Sequence, residues 1–136
     1  MDGVSINFWA VLVAAVSAMV IGSLWYSPMM FAKEWLALVG KKEDEAMAAD
    51  PGPAYFWALV NALVTAYVFS YFIDFAGAAD AWAGALVGFW IWLGFSVFAM
   101  VSGSLFEGRP MRLVFINTTN SLVTLLVMGA ILAAWM

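Results

Sequence analysis

Charge is absent from four long stretches of the chain, residues 3–32, 51–73, 81–106 and 113–136, and apolar side chains dominate each of them. A helix needs about 20 residues to cross a bilayer. The pattern therefore predicts four spans over about 6–26, 54–73, 81–106 and 111–135. A shorter helix is expected over about 28–39, with Ser27 as N-cap, Pro28 at the first helical position and Gly40 closing it. Its Met30, Phe31, Trp35, Leu36 and Leu38 sit beside Lys33 and Glu34, a composition suited to an amphipathic helix in the headgroup region. The alternative is that the first span continues past a kink at Pro28. A polar linker over 40–53 and short turns at 74–80 and 107–110 complete the plan.

Composition supports the same class. Of 136 residues 66% are hydrophobic and 10% charged, and no soluble domain of this size hides so much apolar surface. The expected fold is an all-α integral membrane protein, a four-transmembrane-helix bundle forming a single domain. The start, Met1-Asp2-Gly3, is acidic where a signal peptide is basic, so the first apolar stretch reads as a permanent span. Cysteine and histidine are missing, which removes disulfides, thiol nucleophiles, imidazole bases and ordinary zinc or haem sites. No catalytic residue, metal or cofactor is expected, and the chain is read as a non-enzyme. A net charge of −4 argues against a nucleic-acid partner.

Every Lys and Arg falls in one of two connections: Lys33, Lys41 and Lys42 between the first and second spans, Arg109 and Arg112 between the third and fourth. The positive-inside rule makes both connections cytoplasmic and puts both termini on the other side of the membrane. Trp9, Trp82 and Trp135 mark the outer interface, and Trp25, Tyr26, Trp35, Tyr55 and Trp57 the inner one. Trp90 and Trp92 fall mid-span and, two residues apart, point to nearly opposite faces.

Two short motifs recur. Gly22-Ser23-Leu24 matches Gly103-Ser104-Leu105, and Asn61-Ala62-Leu63-Val64-Thr65 is echoed by Asn120-Ser121-Leu122-Val123-Thr124. The order and depth of the matches suggest two parallel pseudo-repeated hairpins. The repeated positions are also the polar ones. Asn61 lies about 10 Å into its span and Asn120 about 12 Å beyond Arg112, at about 1.5 Å per residue. Ser23, Asn61, Thr65, Ser104, Asn117, Asn120, Ser121 and Thr124 are thus expected to form a polar layer in the inner leaflet, and all of these but Ser121 are the candidate binding residues. Amides facing hydrocarbon are costly, so the layer is either interhelical glue, the reading the composition favours, or a small polar pocket or water-lined path. The acceptor pattern Asn117-Thr118-Thr119 lies inside a span and carries no glycosylation.

Small residues recur every fourth position: Ala54, Ala58, Ala62, Ala66 and Ser70 in the second span, Ala14, Ala18 and Gly22 in the first, Gly84 and Gly88 in the third. Such stripes allow close helix contact without naming the partner helix. Asp74, Asp80, Glu107, Arg109 and Arg112 all sit at span ends, which argues against proton coupling. Glu107 and Arg109 read as a headgroup-level pair or a cytoplasmic helix-end anchor.

The runs Asn7-Phe8-Trp9-Ala10-Val11-Leu12-Val13 and Gly22-Ser23-Leu24-Trp25-Tyr26-Ser27-Pro28, with Phe106-Glu107-Gly108-Arg109-Pro110 and Val127-Met128-Gly129-Ala130-Ile131-Leu132, resemble the bacterial membrane family catalogued as domain of unknown function 1761. The resemblance implies a small integral membrane protein and no known activity; it departs in the acidic linker from Lys41 to Asp50. The leading functional expectation is a structural or interaction protein, a homo-oligomer or an accessory subunit of a larger membrane complex. The alternative is binding or permeation of a small neutral solute, lipid headgroup or lipophilic ligand through the polar layer.

Overall fold

A computed structural model describes residues 6–27, 30–39 and 52–135. Among these the structure is all helix and turn: α1 (Phe8–Trp25), α2 (Ala32–Val39), α3 (Gly52–Ala76), α4 (Ala81–Glu107) and α5 (Met111–Trp135). α1, α3, α4 and α5 are long and apolar enough to cross a membrane. The expected spans agree with them to within three residues at each end. Pro28, Gly40 and most of the expected linker lie outside the described residues.

The short helix differs from its expectation. It begins at Ala32, and Met30 and Phe31 form a turn ahead of it. Ser27 closes α1 instead of capping α2, because its hydroxyl donates to the Leu24 carbonyl (2.7 Å). A hydroxyl beside the carbonyls left open at a helix end takes them as the nearest acceptors.

Local signals set the other ends. Asn7 caps α1, its Oδ1 accepting from the Trp9 and Ala10 amides, while its Nδ2 donates to the Trp135 carbonyl (2.9 Å). One side chain thereby ties the start of α1 to the finish of α5. Gly77 ends α3 and Gly108 ends α4 in the left-handed region, φ 68° and 70°, where glycine is favoured. Asp80 then caps α4 by accepting from the Ala83 amide (2.8 Å). The Glu-Gly-Arg-Pro motif is therefore a reversal of direction: Gly108 stops one helix, and the Pro110 carbonyl accepts the first bond of the next, from Val114 (3.2 Å).

The end where α1 begins and α5 finishes is the far end; the opposite, holding Glu107, Arg109 and Arg112, is the basic end. α5 is the hub, packing extensively on α4 and α1, while α3 packs chiefly on α1. The core is concentrated in the far half. Ala10, Val11 and Ala14 of α1, Ala66, Phe69 and Ile73 of α3, and Leu125, Met128 and Leu132 of α5 form one buried cluster. Outward faces carry Trp82, Phe95 and Phe98 at 67–73% exposure, an apolar exterior of the kind lipid solvates.

Gly84 and Gly88 sit where α4 crosses α5. A Cβ on Gly84 would collide with the Gly129 carbonyl oxygen and come within 2.5 Å of the Ala133 methyl; one on Gly88 would collide with the Leu125 carbonyl. The collision is reciprocal, since a Cβ on Gly129 would strike the Gly84 carbonyl. Lipid tails are as apolar as leucine, so helices in a membrane associate through such close packing.

Just past this crossing α4 contains a π-helical turn, Trp92–Ser96, that the hydrophobic pattern did not reveal. A π-turn accommodates an extra residue and rotates the face that follows. From Trp92 to Glu107, α4 has no buried residue. Likewise α3 has none before Ala62. The bundle is closed in its far half and open between α3 and α4 in its basic half.

Substitution at the crossing discriminates packed from unpacked glycines. Gly84→Ala is expected to destabilise the protein by about 1–3 kcal/mol or more. Gly22→Ala, at a position with nothing within 4 Å of the new methyl, should stay within about 0.5 kcal/mol of the parent. Unfolding in mixed micelles of increasing SDS fraction measures both.

Candidate functional site

The splayed basic half encloses a cavity of about 1000 Å³, walled by all five helices. α5 supplies its polar spine. Asn117, Asn120, Ser121 and Thr124 all line it, as their three- and four-residue spacing on one helix face requires. Asn61 and Thr65 face it from α3 and Ser23 from α1. Six of the seven candidate binding residues thus come together. Ser104 stands apart, in a smaller cavity of about 270 Å³ bordered by Glu107 and Arg109, and Asn117 lies on the wall between the two. The separation follows from the π-turn, which carries the basic half of α4 away from the other helices.

Most of the lining is not spent on holding helices together. Thr65 donates to the Asn61 carbonyl of its own helix (2.8 Å). Between helices, Asn117 Oδ1 accepts from the Tyr26 hydroxyl (2.6 Å), and the Asn120 side chain also hydrogen-bonds Tyr26. Asn120 Oδ1 is buried with no hydrogen-bond partner among the described residues. Asn117 and Asn120 thus help to tie α1 to α5, while the other polar lining residues are left free of that task.

The interhelical polar bonds instead come largely from aromatic residues. Trp25 Nε1 donates to the Ile116 carbonyl (3.0 Å), and Trp92 Nε1 to the Thr118 carbonyl (2.8 Å). These bonds pin α1 and α4 to α5 on either side of the cavity. Trp90, two residues from Trp92, points outward at 64% exposure. The Trp-Tyr-Ser-Pro motif now has a mechanical meaning: Trp25 and Tyr26 clamp the end of α1 to α5, Trp25 packs on Phe31, and Tyr26 meets Trp35 edge-on. Sequence reasoning placed Trp25 and Tyr26 at an interface but had no signal for the α5 atoms they reach.

α2 roofs the cavity at its basic end through Trp35 and Leu36. Glu34 and Arg112 form a two-pronged ion pair, Nε to Oε1 at 2.5 Å and Nη2 to Oε2 at 3.2 Å, that fastens α2 to the start of α5. The Arg112 guanidinium holds the Glu34 carboxyl below the usual carboxylate range. Glu107 and Arg109 pair with each other at 2.5 Å, as expected from the sequence, and exposure of both makes that pair weak. Among the described residues no charged side chain lines the main cavity. Among the described residues no cluster of His, Cys, Asp or Glu could hold a metal.

A family model described as "Protein of unknown function (DUF1761)" matches residues 9–133. No curated protein and no solved structure matches the chain.

Two measurements follow from this geometry. Asn120→Leu removes the bond to Tyr26 together with an unmet acceptor, two effects of opposite sign and about 1 kcal/mol each, so stability measured by SDS unfolding should stay within about 1 kcal/mol of the parent; a larger loss would mean that Asn120 is a main tie of the bundle. The pH response of the roof follows from the depressed Glu34 pKa. Its contribution is fully present above the unperturbed carboxylate value and is lost as pH falls through the depressed one. A nitroxide on Ala37→Cys should become more mobile over that acidic window, and Glu34→Gln should make it mobile at every pH.

Proposed function

The chain belongs to the DUF1761 family, whose description assigns no activity, and we propose from the geometry that it binds an uncharged polar group within the membrane. The observation that carries this reading is the polar lining: Asn61, exposed on α3, faces Asn117, Ser121 and Thr124 of α5 across one cavity. Polar groups kept in hydrocarbon surroundings without partners are costly, and a bound hydroxyl or amide would satisfy them. The absence of charge among the described lining residues favours a neutral ligand over an ion.

In this reading the protein sits in the bacterial inner membrane with both termini outside, and the cavity occupies the inner leaflet. α2, with Trp35 and Leu36 turned to the cavity and Lys33 exposed, is an interfacial amphipathic roof. The two hairpins, α1 with α3 and α4 with α5, are parallel repeats whose matching asparagines, Asn61 and Asn120, face one cavity from two sides. A duplication supplies paired ligand contacts in this way without a reactive group, consistent with a non-enzymatic role that uses no cofactor.

Self-association has one observation of its own. Tyr67 and Tyr71 share a hydrogen bond (3.0 Å) on the outer side of α3, beside Phe8 and Phe75. Such an aromatic strip suits a second copy or another membrane subunit, and the mass after gentle detergent extraction reports it.

The binding reading is tested by thermal unfolding in lipid nanodiscs with uncharged probes: glycerol, urea and 1-monooleoylglycerol. A ligand that binds only the folded state raises Tm. At least one probe should do so, and Asn61→Leu should abolish the shift while the variant's own Tm stays near the parent's. An unshifted parent, or an equal shift in the variant, contradicts the reading.

A further inference from the structure

Resting on that reading, we infer that the ligand is a neutral amphiphile of the lipid phase, with a head rich in hydrogen-bond donors, and that it enters sideways between α3 and α4. Three features of the cavity select this class.

The first is what the head must carry. With no Lys, Arg, Asp or Glu in the lining among the described residues, an ionised headgroup would meet no counter-charge there. Asn61, exposed on α3, and Asn117 bring amide oxygens to the cavity. Ester and ketone oxygens only accept, so they leave an amide oxygen unmet. Hydroxyl or amide groups donate to it, and their own oxygens can accept in turn from the Ser121 and Thr124 hydroxyls.

The second feature is the apolar half of the lining. Met19, Met100 and Met128 reach the cavity from α1, α4 and α5, with Leu125 among them. Thioether side chains are flexible and polarisable and fit a chain of variable shape. The volume, about 1000 Å³, is at the top of the usual range for small-molecule sites, about 300–1,000 Å³. A three-carbon polyol alone would leave most of it empty, whereas a polyol with an acyl chain fills both the polar and the apolar part.

The third feature is the route. Trp35 and Leu36 of α2 cover the basic end, and the Glu34–Arg112 pair holds them there. Packing closes the far half through Gly84, Gly88 and Phe69. The side between α3 and α4 has neither kind of closure. α3 has no buried residue before Ala62 and α4 none after Gly88, yet Ala58 and Asn61 on one helix and Ser96 and Met100 on the other border the cavity. In a bilayer that side meets acyl chains.

The test uses the intact chain in dioleoylphosphatidylcholine nanodiscs and native mass spectrometry after release, with three probes: 1-monooleoylglycerol, methyl oleate and glycerol. Monooleoylglycerol should be retained in preference to methyl oleate, which has the same chain without a donor. Loss of one hydrogen bond, about 1 kcal/mol, predicts retention roughly fivefold lower in Asn61→Leu. Ala58→Trp, which fills the side opening and leaves the donor-seeking groups in place, should lower it as well. Equal retention of the two oleoyl probes, or retention unchanged in both variants, overturns the inference. Glycerol binding without preferential monooleoylglycerol binding overturns it while leaving the cavity reading intact. Failure of all three probes to bind sinks both.

Discussion

Two helix backbones touch only where side chains are missing, and in this molecule that happens at Gly84, Gly88 and Gly129. The α4–α5 crossing brings a carbonyl from each helix into the space a methyl would need. Its stabilisation comes from close van der Waals contact, because water is absent and no hydrophobic gain is available between apolar surfaces already in lipid. Everything toward the far end is built around this crossing. Phe69 of α3 packs beside Gly129, and Ala10, Ala14 and Ala66 complete the cluster from α1 and α3.

The same crossing accounts for the opening in the other half. Close contact at Gly84 and Gly88 fixes α4 against α5, and the π-turn at Trp92–Ser96 then changes the face α4 presents. Beyond it the helices are held by a few directed bonds: the indoles of Trp25 and Trp92 on α5 carbonyls, Tyr26 on Asn117, and Glu34 on Arg112. These bonds tie α1, α2 and α4 to α5 but do not draw α3 toward α4. What remains is a chamber with amides and hydroxyls on one wall and methionines on another.

The spans were legible because the membrane imposes one rule on every residue: charge is excluded over about 20 positions. The α4–α5 turn was legible from Gly108 and Pro110, since glycine and proline act on the backbone locally. The face shared by Asn117, Asn120, Ser121 and Thr124 was legible from helical spacing alone. Features that depend on how one helix is rotated against another were not. The stripe Ala54, Ala58, Ala62, Ala66 and Ser70 is a single pattern in sequence, yet its last three members are buried and its first two border the cavity. Glu34 and Arg112 are 78 positions apart, and nothing local pairs them. The π-turn left no mark on a hydrophobic run that is apolar on all sides. Ser104 matched Ser23 as a motif, and only the displaced half of α4 separates them in space.

The account rests on a bundle that is tight at one end and open at the other along the same helix stripe. The chain has no cysteine, so nitroxides can be placed singly at positions 54, 58, 62, 66 and 70 in lipid bilayers. The spectra should change from mobile at 54 and 58 to immobilised at 66 and 70, with oxygen reaching the first pair and not the second. Uniform immobilisation along all five positions would contradict the account, because α3 would then be packed over its whole length and no chamber would exist.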